Sequence, residues 1–290
     1  MRTFESLLNE GAVILEDAGI KEARLDAWLL LEYKTGKSRA YYFAHRDERM
    51  PEELTAEYLS LCMQRAGHIP LQHLTHQAFF MGYEFYVNEH VLIPRQDTET
   101  LAEEALRLLR KVKDPNILDM CTGSGCILLS LLAELPGCKG TGADISADAL
   151  SVASENAKRL GVSDRALLVE SDTFSGDYFQ EKSGKHPPQY DMLISNPPYI
   201  PTAEIGGLME EVRLHDPLMA LDGHEDGLFF YRTITNQGKE YIRPRGWLLY
   251  EIGSSQGEAV AGILKTEGFE RIAVIKDLAG HDRVVAGQKP

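Results

Sequence analysis

The chain has 290 residues, 43% hydrophobic and 26% charged, and its 30 basic and 44 acidic residues give a formal net charge of -14. These fractions are typical of globular proteins and exclude a largely disordered chain, while the length favours a catalytic domain with a smaller one. The acidic balance repels a phosphate backbone, which argues against direct nucleic-acid binding. No apolar run is long enough for a membrane helix and the first residues do not resemble a signal peptide, so we expect a cytoplasmic protein without membrane contact. We also expect a monomer.

The cysteines and histidines follow no metal-binding or disulfide pattern. The cysteines form no CxxC pair, and the nine histidines form no HExxH motif. We therefore predict no metal and no disulfide, and reduced thiols fit a cytosolic protein. The four cysteines are Cys62, Cys121, Cys126 and Cys138.

Hydrophobic residues at helical spacing predict three helices in the first third of the chain, ending near Gly19, Gly36 and Gly67. Together they favour a small helical bundle over residues 1–75, with the aromatic residues Trp28 and Tyr41–Phe43 packed in its core. The predicted apolar faces are Phe4, Leu7, Leu8 and Leu15 in the first helix, Leu25, Trp28 and Leu29 in the second, and Leu54, Tyr58 and Leu61 in the third.

After the helices the pattern changes to that of an α/β protein. Aromatic and β-branched residues between Gln77 and Ile93 predict a β-hairpin linker over residues 76–97. From residue 98 to 290, apolar runs alternate with helical segments, which predicts a doubly wound, Rossmann-like parallel sheet in an α/β fold. The strand candidates are Ile117–Met120, Gly140–Ala143, Leu167–Val169, Met192–Ser195, Trp247–Ile252, Ala273–Ile275 and Arg283–Ala286.

A strand followed by a glycine-rich turn predicts a cofactor site. The apolar segment Ile117–Met120 leads into a short turn and then into the helical segment Ile127–Ala133. Glycines let the backbone approach a ligand closely, and the first amides of a helix favour polar or anionic groups. We assign to cofactor binding the turn residues Cys121, Thr122, Gly123, Ser124 and Gly125.

The ends of the next two strands add further candidates for cofactor binding. Asp144, followed by Ile145, stands where the ribose hydroxyls of a nucleoside lie in a doubly wound sheet. Asp172 and Thr173 follow the next strand and stand where an adenine ring can be recognised. A dinucleotide motif would need glycine at the position of Leu128, so a pyrophosphate cofactor is disfavoured. The alternative interpretation is that the glycines only allow tight packing and that Asp144 caps the following helix.

The segment Asn196-Pro197-Pro198-Tyr199 follows another strand candidate and predicts a site for an amino group. Prolines fix φ and remove backbone donors, which leaves carbonyl acceptors, and Asn196 adds an amide oxygen. A planar NH₂ group that donates two hydrogen bonds matches these acceptors, and the Tyr199 ring can stack on its plane. The alternative is a polyproline turn with a core tyrosine.

The glycine turn, Asp144 and the Asn-Pro-Pro-Tyr segment stand in the order found in amino-group methyltransferases, which the sequence resembles. This resemblance implies S-adenosylmethionine as the cofactor. Because that group includes adenine-N6 and cytosine-N4 DNA enzymes as well as protein glutamine enzymes, the segment alone does not identify the substrate.

The amino-terminal half narrows the resemblance. The segments Ile69–Leu74 and Val91–Glu99, together with Tyr250–Gly257 near the carboxyl end, are similar to bacterial release-factor glutamine N5-methyltransferases over nearly the whole chain. Two positions depart from that family: Cys121 replaces the first glycine of the turn, and Gln96 stands where the family often has proline. The first departure bears on cofactor affinity more than on activity.

The resemblance implies methylation of the glutamine in the Gly-Gly-Gln loop of peptide chain release factors, with the helical domain docking the factor. Arg95 and Glu99 can equally form an ion pair at a helix start. The implied catalytic residues are Asn196, Pro197 and Tyr199, Asn196 also contacts the cofactor, and the implied substrate-binding residues are Asn196, Pro197, Pro198, Tyr199, Phe85 and Arg95.

Three alternatives remain at this stage. A glutamine methyltransferase of a ribosomal protein would share the same core and hairpin. A DNA adenine-N6 methyltransferase would need a basic recognition domain, which the acidic balance does not favour. A non-catalytic adapter that binds S-adenosylmethionine would not need the intact Asn-Pro-Pro-Tyr segment.

Overall fold

The computed structural model of the chain describes residues 2–182 and 187–290. Its contacts divide the chain into two compact units, Met1–Gln77 with Met209–His215 and Ala78–Leu208 with Asp216–Pro290. The division into domains at residues 75 and 97 stays a prediction. Among the described residues, no helix has the combined length and apolar character that crossing a bilayer requires.

The regular elements are numbered in chain order. The helices are α1 (Phe4–Asp17), α2 (Ala23–Thr35), α3 (Arg39–Ala44), α4 (Glu52–Ala66), α5 (Leu71–Thr75), α6 (Glu99–Leu109), α7 (Cys126–Glu134), α8 (Ala147–Arg159), α9 (Asp177–Lys182), α10 (Glu210–His215), α11 (Phe229–Gly238) and α12 (Gly257–Thr266). The strands are β1 (Gln77–Phe80), β2 (Tyr83–Tyr86), β3 (Asn116–Met120), β4 (Lys139–Asp144), β5 (Ala166–Glu170), β6 (Tyr190–Ser195), β7 (Ile242–Glu251), β8 (Glu270–Lys276) and β9 (Asp282–Gln288).

The helical unit contains the three predicted helices as α1, α2 and α4, and the short helices α3 and α5 were not predicted. The predicted apolar face of α2 was partly wrong, because Leu25 is 45% exposed whereas Leu30 and Leu31 are fully buried. The aromatic prediction was also wrong at Phe43, which is 54% exposed, although the Tyr42 ring packs 5.3 Å from that of Trp28. Short runs of consecutive apolar residues permit more than one helical face, which explains both errors.

The predicted hairpin forms, but its strands are shorter than the segment assigned to it. Strands β1 and β2 pair in a two-stranded sheet, joined by Met81 and Gly82 with φ values of 52° and 78°. Two successive positive φ values are those of a type I′ turn, which fits the twist of a hairpin. The Glu99 carboxylate accepts a 2.7 Å hydrogen bond from the Met81 amide, so this acid holds the turn and does not pair with Arg95.

The predicted α/β class is confirmed by a seven-stranded sheet of order β5-β4-β3-β6-β7-β9-β8. The strands from β5 to β7 pair in parallel, and β9 runs antiparallel to both β7 and β8. The chain leaves β3 toward β4 and β5, and then returns to place β6 on the other side of β3. Strand order therefore reverses between β3 and β6, and ligands bind at the carboxyl ends of strands beside such a point.

The central strands are predictable because helices cover both of their faces. Leu118 in β3 and Leu193 and Ile194 in β6 are fully buried, which gives the continuous apolar runs seen in the sequence. All seven strand candidates lie within β3 to β9 or extend them by one residue. The functional residues that follow these strands are thereby fixed on a rigid edge.

Candidate active site

A cavity of ≈ 530 Å³ lies at the carboxyl edge of the sheet. This volume falls within the range of small-molecule sites, roughly 300–1,000 Å³. The predicted site residues that line the cavity are Cys121, Thr122, Gly123, Ser124, Asp144, Ile145, Asp172, Thr173, Asn196, Pro198 and Arg95. The predicted residues Gly125, Pro197, Tyr199 and Phe85 are not among the residues that line it.

The turn after β3 owes its shape to three residues with left-handed backbone. Cys121, Gly123 and Gly125 have φ values of 60°, 54° and 78°. Glycine adopts such angles without a steric cost, whereas Cys121 carries the strain of a non-glycine residue. Gly125 is required for a second reason, since a Cβ there would lie 2.8 Å from Leu129 in α7. Gly125 therefore serves packing beneath the cavity.

Asp144 joins the turn after β3 to the start of α8. Its carboxylate accepts hydrogen bonds from the Gly123 amide at 2.8 Å and from the Ser146 amide at 3.0 Å. Burial raises the pKa of Asp144, and these backbone hydrogen bonds oppose the rise. Asp144 thus supports the start of α8 and also lines the cavity, and a carboxylate has further lone pairs for ribose hydroxyls.

Asp119 is a buried carboxylate behind the turn, and no sequence pattern indicated its role. It is 0% exposed and accepts a 2.6 Å hydrogen bond from the Thr122 hydroxyl. Burial raises its pKa to about 7, opposed by the Thr122 hydrogen bond, while the charge of Asp144 adds to the rise. This pair of acids places negative potential beneath the turn.

The Cys121 thiol stands where the first glycine of the turn was expected. Burial and the nearby charges of Asp144 and Asp119 raise its pKa well above that of a free thiol. Cys121 therefore remains a neutral group in the cavity wall. Its side chain also forms a hydrogen bond with Ser195, at the end of β6.

The Asn-Pro-Pro-Tyr segment begins directly where β6 ends. The Ser195 hydroxyl donates a 2.6 Å hydrogen bond to the Met120 carbonyl, which ties the ends of β6 and β3 together. Asn196 and Pro198 then line the cavity from the end of β6, the strand that pairs with β3. The glycine turn and the Asn-Pro-Pro-Tyr segment therefore contribute residues to the same cavity.

Backbone contacts hold Tyr199 from outside the cavity. The Gln256 side chain donates hydrogen bonds to the Tyr199 carbonyl at 3.0 Å and to the Gly227 carbonyl at 3.3 Å. A Cβ at Gly223 would lie 2.7 Å from the Tyr199 Cα, and a Cβ at Gly227 would clash with the Tyr199 carbonyl oxygen. Two close backbone approaches thus fix the tetrapeptide.

Arg95 lines the cavity but is not a free cation. Its guanidinium pairs with Asp216 at 2.7 Å, and the Asp216 side chain is only 1% exposed while that of Arg95 is 43% exposed. A buried carboxylate needs such a partner. The predicted ion pair between Arg95 and Glu99 was wrong, because Arg95 pairs with Asp216 and Glu99 accepts from the Met81 amide.

Phe85 lies outside the cavity. It is fully buried in a hydrophobic core that also contains residues of α6 and α7, and its ring centroid is 6.3 Å from that of Phe80. Core packing accounts for this position, so we do not carry Phe85 into the proposal for substrate binding.

Three polar residues outside the predicted set help to build the site. Asn156 in α8 is fully buried and donates to the Ser124 carbonyl at 2.9 Å, while it also exchanges two hydrogen bonds with the Tyr86 backbone. Glu251 and Gln256 lie near the Asn-Pro-Pro-Tyr segment. An asparagine inside a helix is unusual, and this feature could have indicated that Asn156 has a structural role. Glu251 and Gln256 appeared only within the segment that carries the family resemblance.

The lining of the cavity fits S-adenosylmethionine. Asp144 and Asp172 supply acceptors and negative charge at the end of the cavity formed by β4 and β5, and Ile145 and Met120 supply apolar walls for a nucleoside. Negative residues suit a cationic sulfonium compound and would repel a pyrophosphate. Within residues 2–182 and 187–290, no three His, Cys, Asp or Glu side chains are arranged to hold a metal ion.

Two family models match the chain. The PrmC N-terminal domain matches residues 6–75, and the methyltransferase small domain matches residues 98–210. The second match spans the glycine turn, Asp144 and the Asn-Pro-Pro-Tyr segment.

Individual relatives match nearly the whole chain. The release factor glutamine methyltransferase of Geobacter sulfurreducens is 39% identical over 287 residues, which cover 99% of this chain and 96% of the relative. That of Caulobacter vibrioides is 38% identical over 275 residues, which cover 95% and 92%. A crystal structure of the hMettl16 catalytic domain in complex with MAT2A 3'UTR hairpin 1 has a TM-score of 0.55 at 15% identity, covers 91% of this chain and 93% of that one, and shows the fold alone.

Proposed function

The chain belongs to the release factor glutamine methyltransferase family and uses S-adenosylmethionine, and from this premise we propose that it methylates the side-chain amide nitrogen of the Gly-Gly-Gln glutamine in peptide chain release factors. The observation that carries the proposal is that the glycine turn with Asp144 and the residues Asn196 and Pro198 line a single cavity. A cavity that binds the cofactor at one end and the substrate amide at the other can bring the methyl donor and its acceptor together.

The proposed cofactor residues are those of the turn, Asp144, Ile145, Asp172, Thr173 and Asn196. When bound, S-adenosylmethionine supplies an activated methyl group on a sulfonium. Asp144 would accept from the ribose hydroxyls while it holds the Gly123 amide in place. The loop needs little reorganisation on binding, because Asp144 and Asn156 already fix its backbone.

Asn196 and the carbonyl of Pro197 would orient the substrate amide. An amide nitrogen is a weak nucleophile because its lone pair is delocalised, and acceptors placed at its N–H groups stabilise the positive charge that develops during attack. No base is required before methyl transfer, since the nitrogen loses its proton afterwards. Tyr199 stays in the proposal as a residue that faces the amide plane, and its backbone is held by Gln256.

Substitution of Asn196 tests the proposal. We expect Asn196→Ala to keep cofactor affinity within a few-fold and to lower kcat by about a hundredfold or more, as loss of a preorganised contact does. The matched control is Asn236→Ala, which changes the same residue type on the exposed face of α11. Calorimetry with the cofactor and turnover with purified release factor measure the two effects, and normal turnover by Asn196→Ala contradicts the proposal.

The substrate is tested by locating the product. Mass spectrometry of the modified protein should place the added methyl group on the Gly-Gly-Gln glutamine, and a release factor with that glutamine replaced by alanine should remain unmodified. A purified ribosomal protein and a DNA duplex serve as the alternative substrates. Methylation of either of them, with the release factor unmodified, overturns the assignment.

The predictions of a cytoplasmic location and a monomer belong to the same proposal. Cell fractionation and light scattering measure them directly. The helical unit is proposed to dock the release factor, as the family resemblance implies.

A further inference from the structure

Glu251 lies beside Asn196 at the carboxyl edge of the sheet. Strands β6 and β7 run parallel with Ser195 paired to Tyr250, so Asn196, directly after β6, lies next to Glu251 at the end of β7. Glu251 is 3% exposed, and its backbone carbonyl accepts a 2.9 Å hydrogen bond from the Tyr231 hydroxyl. Both the side chain and the backbone of this acid are therefore fixed within the fold.

The Glu251 carboxylate has two side-chain partners on the cavity side. Hydrogen bonds from Thr98 and Asn196 stabilise its ionised form, and the guanidinium of Arg283 acts in the same direction. Its Oε2 atom has no hydrogen-bond partner within the described part of the chain. Burying a carboxylate with an unpaired oxygen is costly, so a position like this one requires a reason beyond packing.

The chemistry of the contact determines which way the Asn196 amide points. An ionised carboxylate only accepts hydrogen bonds, so the NH₂ group of Asn196 must face Glu251. The amide oxygen of Asn196 then faces the opposite way, where Asn196 lines the cavity. The reverse orientation would bring two acceptors together.

We infer that Glu251 is a positioning residue that orients the Asn196 amide, so that its oxygen is presented to the N–H groups of the substrate amide. This inference rests on the proposed function of Asn196. Glu251 acts through Asn196 and does not touch the reacting atoms. The contact holds the acceptor in place before the substrate binds, which is the condition for stabilising charge in the transition state.

The charge on Glu251 is sensitive to pH. Burial raises its pKa to about 7, opposed by hydrogen bonds from Thr98 and Asn196 and by the charge of Arg283. A protonated Glu251 is a weaker acceptor and can donate to the wrong end of Asn196. The titratable or charged groups that act on Glu251 or respond to its charge are Arg283 in β9, Asp97 in the short helical turn before α6, Tyr199, Tyr231 in α11 and Cys126 at the start of α7.

Two substitutions separate the positioning role from other roles. Glu251→Leu leaves the Asn196 NH₂ group without its acceptor and should lower kcat by about 10- to 100-fold, with KM for the release factor and cofactor affinity within about threefold. Glu251→Gln retains an amide oxygen that can accept from Asn196 and should keep kcat within about threefold at pH 8. The matched control is Glu258→Gln, an exposed acid in α12.

The pH profile supplies a second readout. For the native chain we expect kcat to fall as the pH drops below about 7, and for Glu251→Gln this inflection should be absent while the profile of Glu258→Gln is unchanged. If Glu251→Leu does not fold, the comparison of Glu251→Gln with the native chain still decides. An unaltered inflection in Glu251→Gln overturns the inference.

A double substitution tests whether Glu251 acts through Asn196. In an Asn196→Ala background, Glu251→Leu should cause no further loss of kcat, because the amide it orients is gone. If the kcat losses of the two single substitutions add in the double variant, the positioning role is overturned. It is also overturned if Glu251→Gln binds the cofactor normally but has a kcat as low as that of Glu251→Leu. If Asn196→Ala has a normal kcat, the result counts against the proposed function. If Asn196→Ala has a lowered kcat but Glu251→Leu has a normal one, the result counts only against the positioning role of Glu251.

Discussion

The side-chain amide of Gln256 donates a 3.0 Å hydrogen bond to the carbonyl oxygen of Tyr199. The oxygen of the same side chain accepts a 2.9 Å hydrogen bond from the Gly253 amide, so the Gln256 amide group is fixed in one orientation. A residue just before α12 thus holds the backbone of the Asn-Pro-Pro-Tyr segment.

Loss of this donor should affect both stability and rate. Gln256→Glu places a carboxylate against the Tyr199 and Gly227 carbonyls, so we expect the free energy of unfolding to fall by roughly 1–3 kcal/mol and kcat by about tenfold. The exposed substitution Gln64→Glu makes the same change in charge far from the site in sequence and serves as control. Denaturant melts and steady-state kinetics give the two values, and a variant equal to its control disproves the anchoring role.

Asp144 should determine cofactor affinity. Asp144→Asn retains the size of the side chain but replaces one acceptor oxygen with a donor, so we expect cofactor binding to weaken by roughly 1–3 kcal/mol. Asp148→Asn, an exposed change in the first turn of α8, should leave the affinity unchanged. Titration calorimetry measures both affinities, and equal values would mean that Asp144 serves only to support α8.

Asn156 should be worth several hydrogen bonds of stability. Alanine there removes the donor to the Ser124 carbonyl and both bonds to the Tyr86 backbone in a fully buried location. We expect a loss of roughly 2–4 kcal/mol in the free energy of unfolding, since each unpaired buried group costs about 1–3 kcal/mol. The same substitution at the exposed Asn236 is the control for denaturant unfolding. A cost for Asn156→Ala below about 0.5 kcal/mol, the range of ordinary surface changes, contradicts the expectation.

Asp119 should make stability depend on pH. Its folded-state pKa of about 7 exceeds the value of roughly 4 for an unfolded aspartate, so between these limits the folded state binds more protons. The stability contributed by this proton is fully present below about pH 4 and is lost as the pH rises through about 7. Asp119→Asn cannot titrate, so the native chain should lose stability relative to this variant between pH 4 and pH 7 and no further above it. A difference in unfolding free energy that stays constant over this range contradicts the assigned titration.

The sequence predicted the central strands of the sheet well because these strands are buried on both faces. Leu193 and Ile194 form part of a continuous apolar run, and such a run at the centre of a parallel sheet has few competing interpretations. Helical faces were less predictable. The apolar run Ala27–Leu31 of α2 is compatible with more than one buried face, and packing against the neighbouring helices buries Leu31 and leaves Leu25 exposed.

The site was predicted where residue type alone carries the chemistry. Gly123, Asp144 and Asn196 have few roles at the end of a strand, and the structure brings them to one cavity. No sequence motif marks the roles of Gln256 and Glu251, because each role depends on a contact with a residue far away in the chain. Neither periodicity nor spacing reveals such a contact, which exists only after β6 and β7 pair.

Cys121 lines a ligand cavity and yet is a poor target for covalent reagents. Alkylation and oxidation proceed through the thiolate, and the raised pKa of this thiol keeps that form scarce at neutral pH. Electrophiles and peroxides should therefore react slowly at this position. An inhibitor designed against this cavity has to rely on reversible contacts, because the sulfur in its wall offers no nucleophile.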